Sequence, residues 1–436
     1  MTMITQRTFG SDFDDHGPSA PTSEENAFVT MMASFDAAAE RLGLDPSLYA
    51  ILRKPDREIH VAVPTPLDGG GLAIFDGFRV QHNSGMGPYF GPLRIHAALT
   101  VDELRALAAW MTWKCSLLDI PFGGSAGGIR LDPEEVSPGE LERAVRRYVS
   151  VLVSDLGQDH DVFASERITD SRVMAWVMDT ISMHSRFTEN AVVCGKPLEL
   201  GGTLGHIDAV AQGVRTLLPE ALELAGLPPT GARLMVQGAG TRGGNLVRIL
   251  SAEHTIVGFS DVHGALYDER GLDPAPILAW LAEHGNLAEC TGRFERISNE
   301  QMLLRPADVF IPCATDTVVR RKHAPGLQAK LVVEAANGPI SSNADRILAE
   351  RGVTVVPDIL ATGGGAIVNY FEWVQNRAGY SWPLERVQKR MARMLSAAWS
   401  EVLAVAREEK LPLRTAAHMV AVRRVAGADR VRGLYA

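Results

Sequence analysis

A chain of 436 residues, 46% hydrophobic and 22% charged, is long enough for two domains with ordinary cores. Its formal net charge of −9 argues against a nucleic-acid or anionic-membrane partner, and no stretch approaches the ~20 apolar residues of a membrane span. The cysteines Cys115, Cys194, Cys290 and Cys313 form no CxxC pair and no metal-ligand spacing with histidine, so reduced thiols, no bound metal and a cytoplasmic location are expected.

Residues 1–29, rich in Asp, Ser, Pro and Gly, are expected to be a mobile tail. Apolar residues at helical spacing predict a helix over 30–42, closed by Gly43. Residues 58–64 alternate as a half-buried strand does, and 72–82 read as a second strand region interrupted by a turn. Thr100 opens a helix over 101–118, with Glu103 three residues into it suggesting a capping box. The segment PFGGSAGGIR (121–130) reads as a glycine-flanked turn that brings backbone close to a small ligand. Helical patterns follow at 138–156, 171–183 and 205–224.

From about residue 200 the pattern changes. Apolar strand candidates at 233–237, 255–259, 309–312, 330–334 and 354–357 alternate with helical segments, as in a doubly wound parallel sheet. After the first of these strands comes Gly238-Ala-Gly240-Thr-Arg-Gly243, a GxGxxG between strand and helix. Its glycines permit a tight turn, close approach of pyrophosphate and close helix packing. Asp261 follows at about the 20-residue interval where an acid binds ribose hydroxyls, which points to NAD over NADP; Arg242 and His263 are cations against that preference. A glycine turn that binds nothing is the alternative.

A series of stretches closely resembles the glutamate dehydrogenase family, which includes the leucine, phenylalanine and valine dehydrogenases. They are FDGFRVQHNSG (75–85), MTWKCSLLDIPFGGSAGGIRLDP (111–133), CGKPLELGGTLG (194–205), VQGAGTRGG (236–244), VVEAANGP (332–339), VVPDILATGGG (355–365) and YFEWVQN (370–376). The resemblance implies an N-terminal α/β domain over 30–200 for substrate binding and oligomerisation, joined by helices from about 400–436. It also implies a Rossmann-type NAD-binding domain over 201–399, with Asn337 contributing to the cofactor site. The family reaction is reversible oxidative deamination of an L-amino acid, carried out in hexamers.

Residue by residue, the resemblance is uneven. Lys114 matches the family lysine that holds the α-carboxylate. Ala126 stands where the GGAKGG or GGGKGG pattern has the catalytic lysine, and alanine neither donates nor accepts a proton. Glu166 replaces the aspartate that shuttles protons, displacing its carboxylate by one methylene. Phe90 replaces the lysine that pairs with the γ-carboxylate of glutamate, and Asn369 replaces a serine at that end of the substrate. Thr362 and Val210 replace an asparagine and a threonine. With an intact GxGxxG beside these losses, the expectation is a catalytically silent, regulatory subunit. It would co-assemble with an active homologous dehydrogenase, or with itself, and bind an apolar amino acid as ligand. An active NAD-dependent amino-acid dehydrogenase with altered groups is the alternative. A serine hydrolase using Ser125 in GGSAG is opposed by Pro121 before it and Asp132-Pro133 where a helix should continue.

Overall fold

The computed structural model describes residues 26–166, 169–314 and 317–433; the expected tail lies outside them up to residue 25. Within that expected tail, however, Asn26 caps α1 (Ala27–Arg41) by accepting from the Phe28 and Val29 amides. Gly43 then takes φ +58°, the left-handed conformation that closes a helix. After α2 (Pro46–Leu52), six strands form the first sheet: β1 (Arg57–Pro66), β2 (Leu72–Asn83), β3 (Tyr89–Ile95), β4 (Gly124–Arg130), β5 (Asp161–Ala164) and β6 (Val193–Cys194). Their order is β1-β2-β4-β3-β5-β6. β2 is antiparallel to β1 and β4, whereas β3 runs parallel to β4 and β5. α3 (Val101–Leu117), α4 (Pro138–Leu152) and α5 (Ser171–Ser185) connect and cover these strands.

Two readings of glycine are corrected here. Residues 72–82 belong to one continuous strand, and Gly77 sits in it because a Cβ would lie 2.7 Å from the Tyr148 ring. Residues 121–130 are not a turn: most of them form β4, near the centre of the sheet. A Cβ at Gly124 would lie 2.3 Å from the Ala108 carbonyl and the Thr112 amide of α3, and one at Gly128 2.4 Å from the Arg94 carbonyl of β3. The glycines let a helix and a neighbouring strand close upon β4. The capping box also fails: Thr100 accepts from the Glu103 amide, but the Glu103 carboxylate turns to Arg94 and His96.

The second sheet contains β7 (Arg233–Gln237), β8 (Thr255–Asp261), β9 (Gly264–Tyr267), β10 (Glu295–Ile297), β11 (Val309–Pro312), β12 (Leu331–Val333) and β13 (Thr354–Val356). The order β10-β9-β8-β7-β11-β12-β13 places β8 on one side of β7 and β11 on the other. That is the switch point of a Rossmann-type sheet, where ligands bind at the carboxyl ends of the strands. The expected all-parallel sheet is corrected at one edge, where β9 and β10 pair antiparallel. α6 (Ala209–Leu224), α7 (Thr241–Leu250), α8 (Pro274–His284), α9 (Asn299–Leu303) and α10 (Ser342–Glu350) accompany this sheet.

α11 (Asp358–Ala361), α12 (Gly363–Ala378), α13 (Leu384–Glu409) and α14 (Leu413–Arg432) then return the chain to the first sheet's helices. α14 packs on α1 and α3, and Ser116 donates to the Ala421 carbonyl at 2.9 Å. α14 also reaches the second sheet, where Arg414 donates to both Glu334 oxygens at 2.8 Å. All four cysteines are free and buried, and burial pushes their thiols up. Among the described residues, no helix is long and apolar enough to cross a membrane, and no group of three His, Cys, Asp or Glu could hold a metal ion.

The Glu334 contact carries a pH prediction. Burial pushes the carboxyl from its ordinary 4.5 up to about 7; Arg414 pulls it back and Asp358 adds to the rise. Asp345 and His418 belong to the same cluster. With the folded value above the unfolded one, the stability contributed by Glu334 is complete below 4.5 and lost as pH rises through about 7. In urea unfolding across that range, the advantage of wild type over Glu334→Gln should shrink as pH rises. A difference independent of pH would show that the carboxylate stays ionised throughout.

Candidate active-site cleft

α3 is buried along most of its length because it lies between β4 and the helices at the chain's end. This brings Lys114 into the interior, where Nζ donates to Asn337 Oδ1 at 2.9 Å. Asn337 lies beyond the end of β12, so the bond joins the two sheet units. Burial pushes the Lys114 ammonium below its usual value; Asp358 opposes this and Arg242 adds to it.

Ala126 is 0% exposed and sits opposite Val80 of β2. Strand alternation puts its methyl on the face of Gly124 and Gly128, the face that α3 covers near Gly124. Ser125 faces the other way. Its hydroxyl donates to Asp161 at 2.8 Å and accepts from Arg79 at 2.7 Å, and the chain continues as strand with no helix. That contradicts a nucleophile elbow.

Glu166 follows β5. Its carboxylate accepts from Arg94 at 2.8 and 2.6 Å, and Arg94 also pairs with Glu103. Burial raises the Glu166 carboxyl, but Arg94 outweighs it and holds the group below the usual carboxylate range. The group is thus an ionised acceptor already occupied by a guanidinium.

Phe90 is 0% exposed and stacks on Phe122 with centroids 4.7 Å apart. Phe122 meets Trp373 at 5.2 Å and Tyr370 at 5.9 Å edge-on. Phe90, Phe122, Tyr370 and Trp373 thus form an aromatic wall. Asn369, beside this wall on α12, is buried with no partner for Oδ1 among the described residues. Thr362 donates to the Asp358 carbonyl at 2.6 Å, and Val210 lies 3.2 Å from where a Cβ on Gly365 would stand.

The glycine turn after β7 fits a dinucleotide. Gly238 has φ +112° and a Cβ there would lie 2.6 Å from Ala314, while one at Gly243 would lie 1.8 Å from the Gly238 carbonyl. Gly240 faces open space, and it opens α7, whose N-terminal amides favour an anion. Asp261 ends β8 and accepts from the His263 amide at 2.7 Å and the Leu287 amide at 2.6 Å. Each carboxylate oxygen keeps a second lone pair for a ribose hydroxyl.

Family models match both halves of the chain: Glu/Leu/Phe/Val dehydrogenase, dimerisation domain, over residues 55–183, and Glutamate/Leucine/Phenylalanine/Valine dehydrogenase over 201–433. The chain belongs to the Glu/Leu/Phe/Val dehydrogenase family. It is 39% identical to a glutamate dehydrogenase of Thermotoga maritima, across 94% of this chain and 99% of that protein. It is 38% identical to a catabolic NAD-specific glutamate dehydrogenase of Bacillus subtilis, across 94% and 96%. Among solved structures, a hetero-hexameric glutamate dehydrogenase from Thermus thermophilus in a Leu-bound form superposes with a TM-score of 0.91 at 34% identity, covering 95% of this chain and 99% of that one.

Within this family site, sequence reasoning missed Arg94 as the partner of Glu166, Phe122 as the partner of Phe90, and Trp373 behind Phe122. Arg94 lies in the GPLR stretch beside Phe90, but nothing in its spacing indicates a contact with a residue 72 positions away.

Proposed function

We propose that this chain is a catalytically silent, regulatory subunit that co-assembles with an active glutamate dehydrogenase. Oxidative deamination needs an amine that polarises the reacting carbon and activates water. The observation that carries the reading is the buried methyl of Ala126 at the family lysine's position. Glu166 is already held by Arg94, and Lys114, with one of its three donors on Asn337, keeps two for a ligand carboxylate. The retained glycine turn and Asp261 support NAD as the dinucleotide bound, in keeping with the relative named NAD-specific.

The ligand we assign to the cleft is an apolar amino acid. Lys114 would hold its carboxylate and the Phe90–Phe122–Trp373 wall would receive its side chain. The hetero-hexameric, Leu-bound relative is a precedent for both the mixed assembly and this ligand class. A cytoplasmic setting agrees with both. The second reading, an active dehydrogenase with rearranged groups, draws on the lowered ammonium of Lys114 as a substitute base.

Co-expression with a catalytically active homologue tests the assembly. Tagging this chain should recover mixed hexamers, and leucine titrated into them should give saturable heat that Lys114→Ala weakens at least about ten-fold. Recovery of homohexamers alone, with no heat from leucine, would sink the proposal.

A further inference from the structure

The dinucleotide turn carries a charge that phosphate binding does not require. Arg242, the residue before Gly243, is half-buried, and its Nη1 donates to the Ala335 carbonyl at 3.0 Å, just beyond the end of β12. From the β7 turn to the end of β12 this side chain crosses the edge of β11, the strand between them. Two residues past Ala335, Asn337 accepts from Lys114. The guanidinium and the ammonium therefore both meet the same three-residue segment, 335–337. Arg242 is near enough to push Lys114 down and to help hold Glu166 low.

Position in the sheet tells which part of a ligand meets this charge. In a Rossmann-type crevice the adenosine half lies toward the strand whose end carries the ribose-binding acid, here β8 with Asp261. The other nucleoside lies across the switch point, toward β11 and β12, where Arg242 reaches. An oxidised nicotinamide ring is a cation and a reduced one is neutral. A fixed guanidinium, with Lys114 beyond it, opposes the first and tolerates the second.

We propose that Arg242 makes the crevice select by charge, favouring NADH over NAD+. This rests on the reading that the crevice takes an NAD-type dinucleotide. A silent subunit built this way would respond to the reduced cofactor while turning over neither form.

Binding of NADH, NAD+ and ADP-ribose is measured by isothermal titration on wild type, Arg242→Val and Arg242→Lys. ADP-ribose keeps the adenosine half and the phosphates and lacks the nicotinamide. The NADH-to-NAD+ affinity ratio should fall about ten-fold in Arg242→Val, through tighter NAD+ binding, and persist in Arg242→Lys. A ratio unchanged in Arg242→Val, or lost equally in both variants, overturns the proposal while ADP-ribose binding upholds the dinucleotide reading. Failure of all three proteins to bind ADP-ribose overturns that reading and the proposal with it.

Discussion

Replacing Asp161 with alanine is expected to lower the unfolding free energy by about 3–5 kcal/mol, the range for breaking a buried ion pair on one side. Arg79 of β2 is completely buried and donates through Nε to Asp161 at 2.9 Å, through Nη2 to Ser125 at 2.7 Å and through Nη1 to the Pro92 carbonyl at 3.2 Å. Gln81 donates to the same carboxylate at 2.9 Å, and the guanidinium lies 4.2 Å over the Phe163 ring. Asp161 thus ties β2, β4 and β5 together at one point. With the carboxylate gone, Arg79 stays in the sheet with no countercharge and no route to water. Urea unfolding at fixed protein concentration reads the loss, because assembly makes the midpoint concentration-dependent. A change below about 1 kcal/mol would mean that water reaches the guanidinium and the network is not sealed.

The largest expected gain of function belongs to the double variant Ala126→Lys with Phe90→Lys. NAD-linked glutamate turnover should rise from background by about 10²-fold or more, the lower end of what a positioned acid–base group supplies. Ala126→Lys alone should not suffice for glutamate. Phe90 leaves the γ-carboxylate facing rings, and burying an unpaired carboxylate costs several kcal/mol. Both positions are fully buried, so each new lysine depends on the ligand's charge, and circular dichroism should first establish that the fold survives. The hold of Arg94 on Glu166 keeps the expected rescue below an active relative's rate. A folded double variant with background turnover would contradict the proposal that the residues at 126 and 90 account for a silent site.

The contrast between these two predictions shows which features the sequence made legible. That positions 126 and 90 carry alanine and phenylalanine is a matter of residue identity, and the structure adds only that both are fully buried. The strand at 309–312 was legible as well, since β-branched and aromatic Val309, Phe310 and Ile311 run together directly after Asp308. The glycines of β4 misled because glycine usually marks a turn, whereas here it is required by Ala108, Thr112 and Arg94, whose approach follows only from the fold. The antiparallel pair β9 and β10 escaped notice because four and three residues carry too little periodicity. Pairings such as Arg94 with Glu166, or Arg242 with Ala335, depend on tertiary placement, and sequence spacing carries no trace of them.

Turnover by the purified, unmodified chain is the most direct test of the proposal that alanine at position 126 leaves the site silent. With NAD+ and glutamate, and with NADH, 2-oxoglutarate and ammonium, its rate should lie at least about 10²-fold below that of an active homologue assayed alongside. A rate within ten-fold of that homologue, from a preparation shown by mass spectrometry to hold no second subunit, would contradict the account.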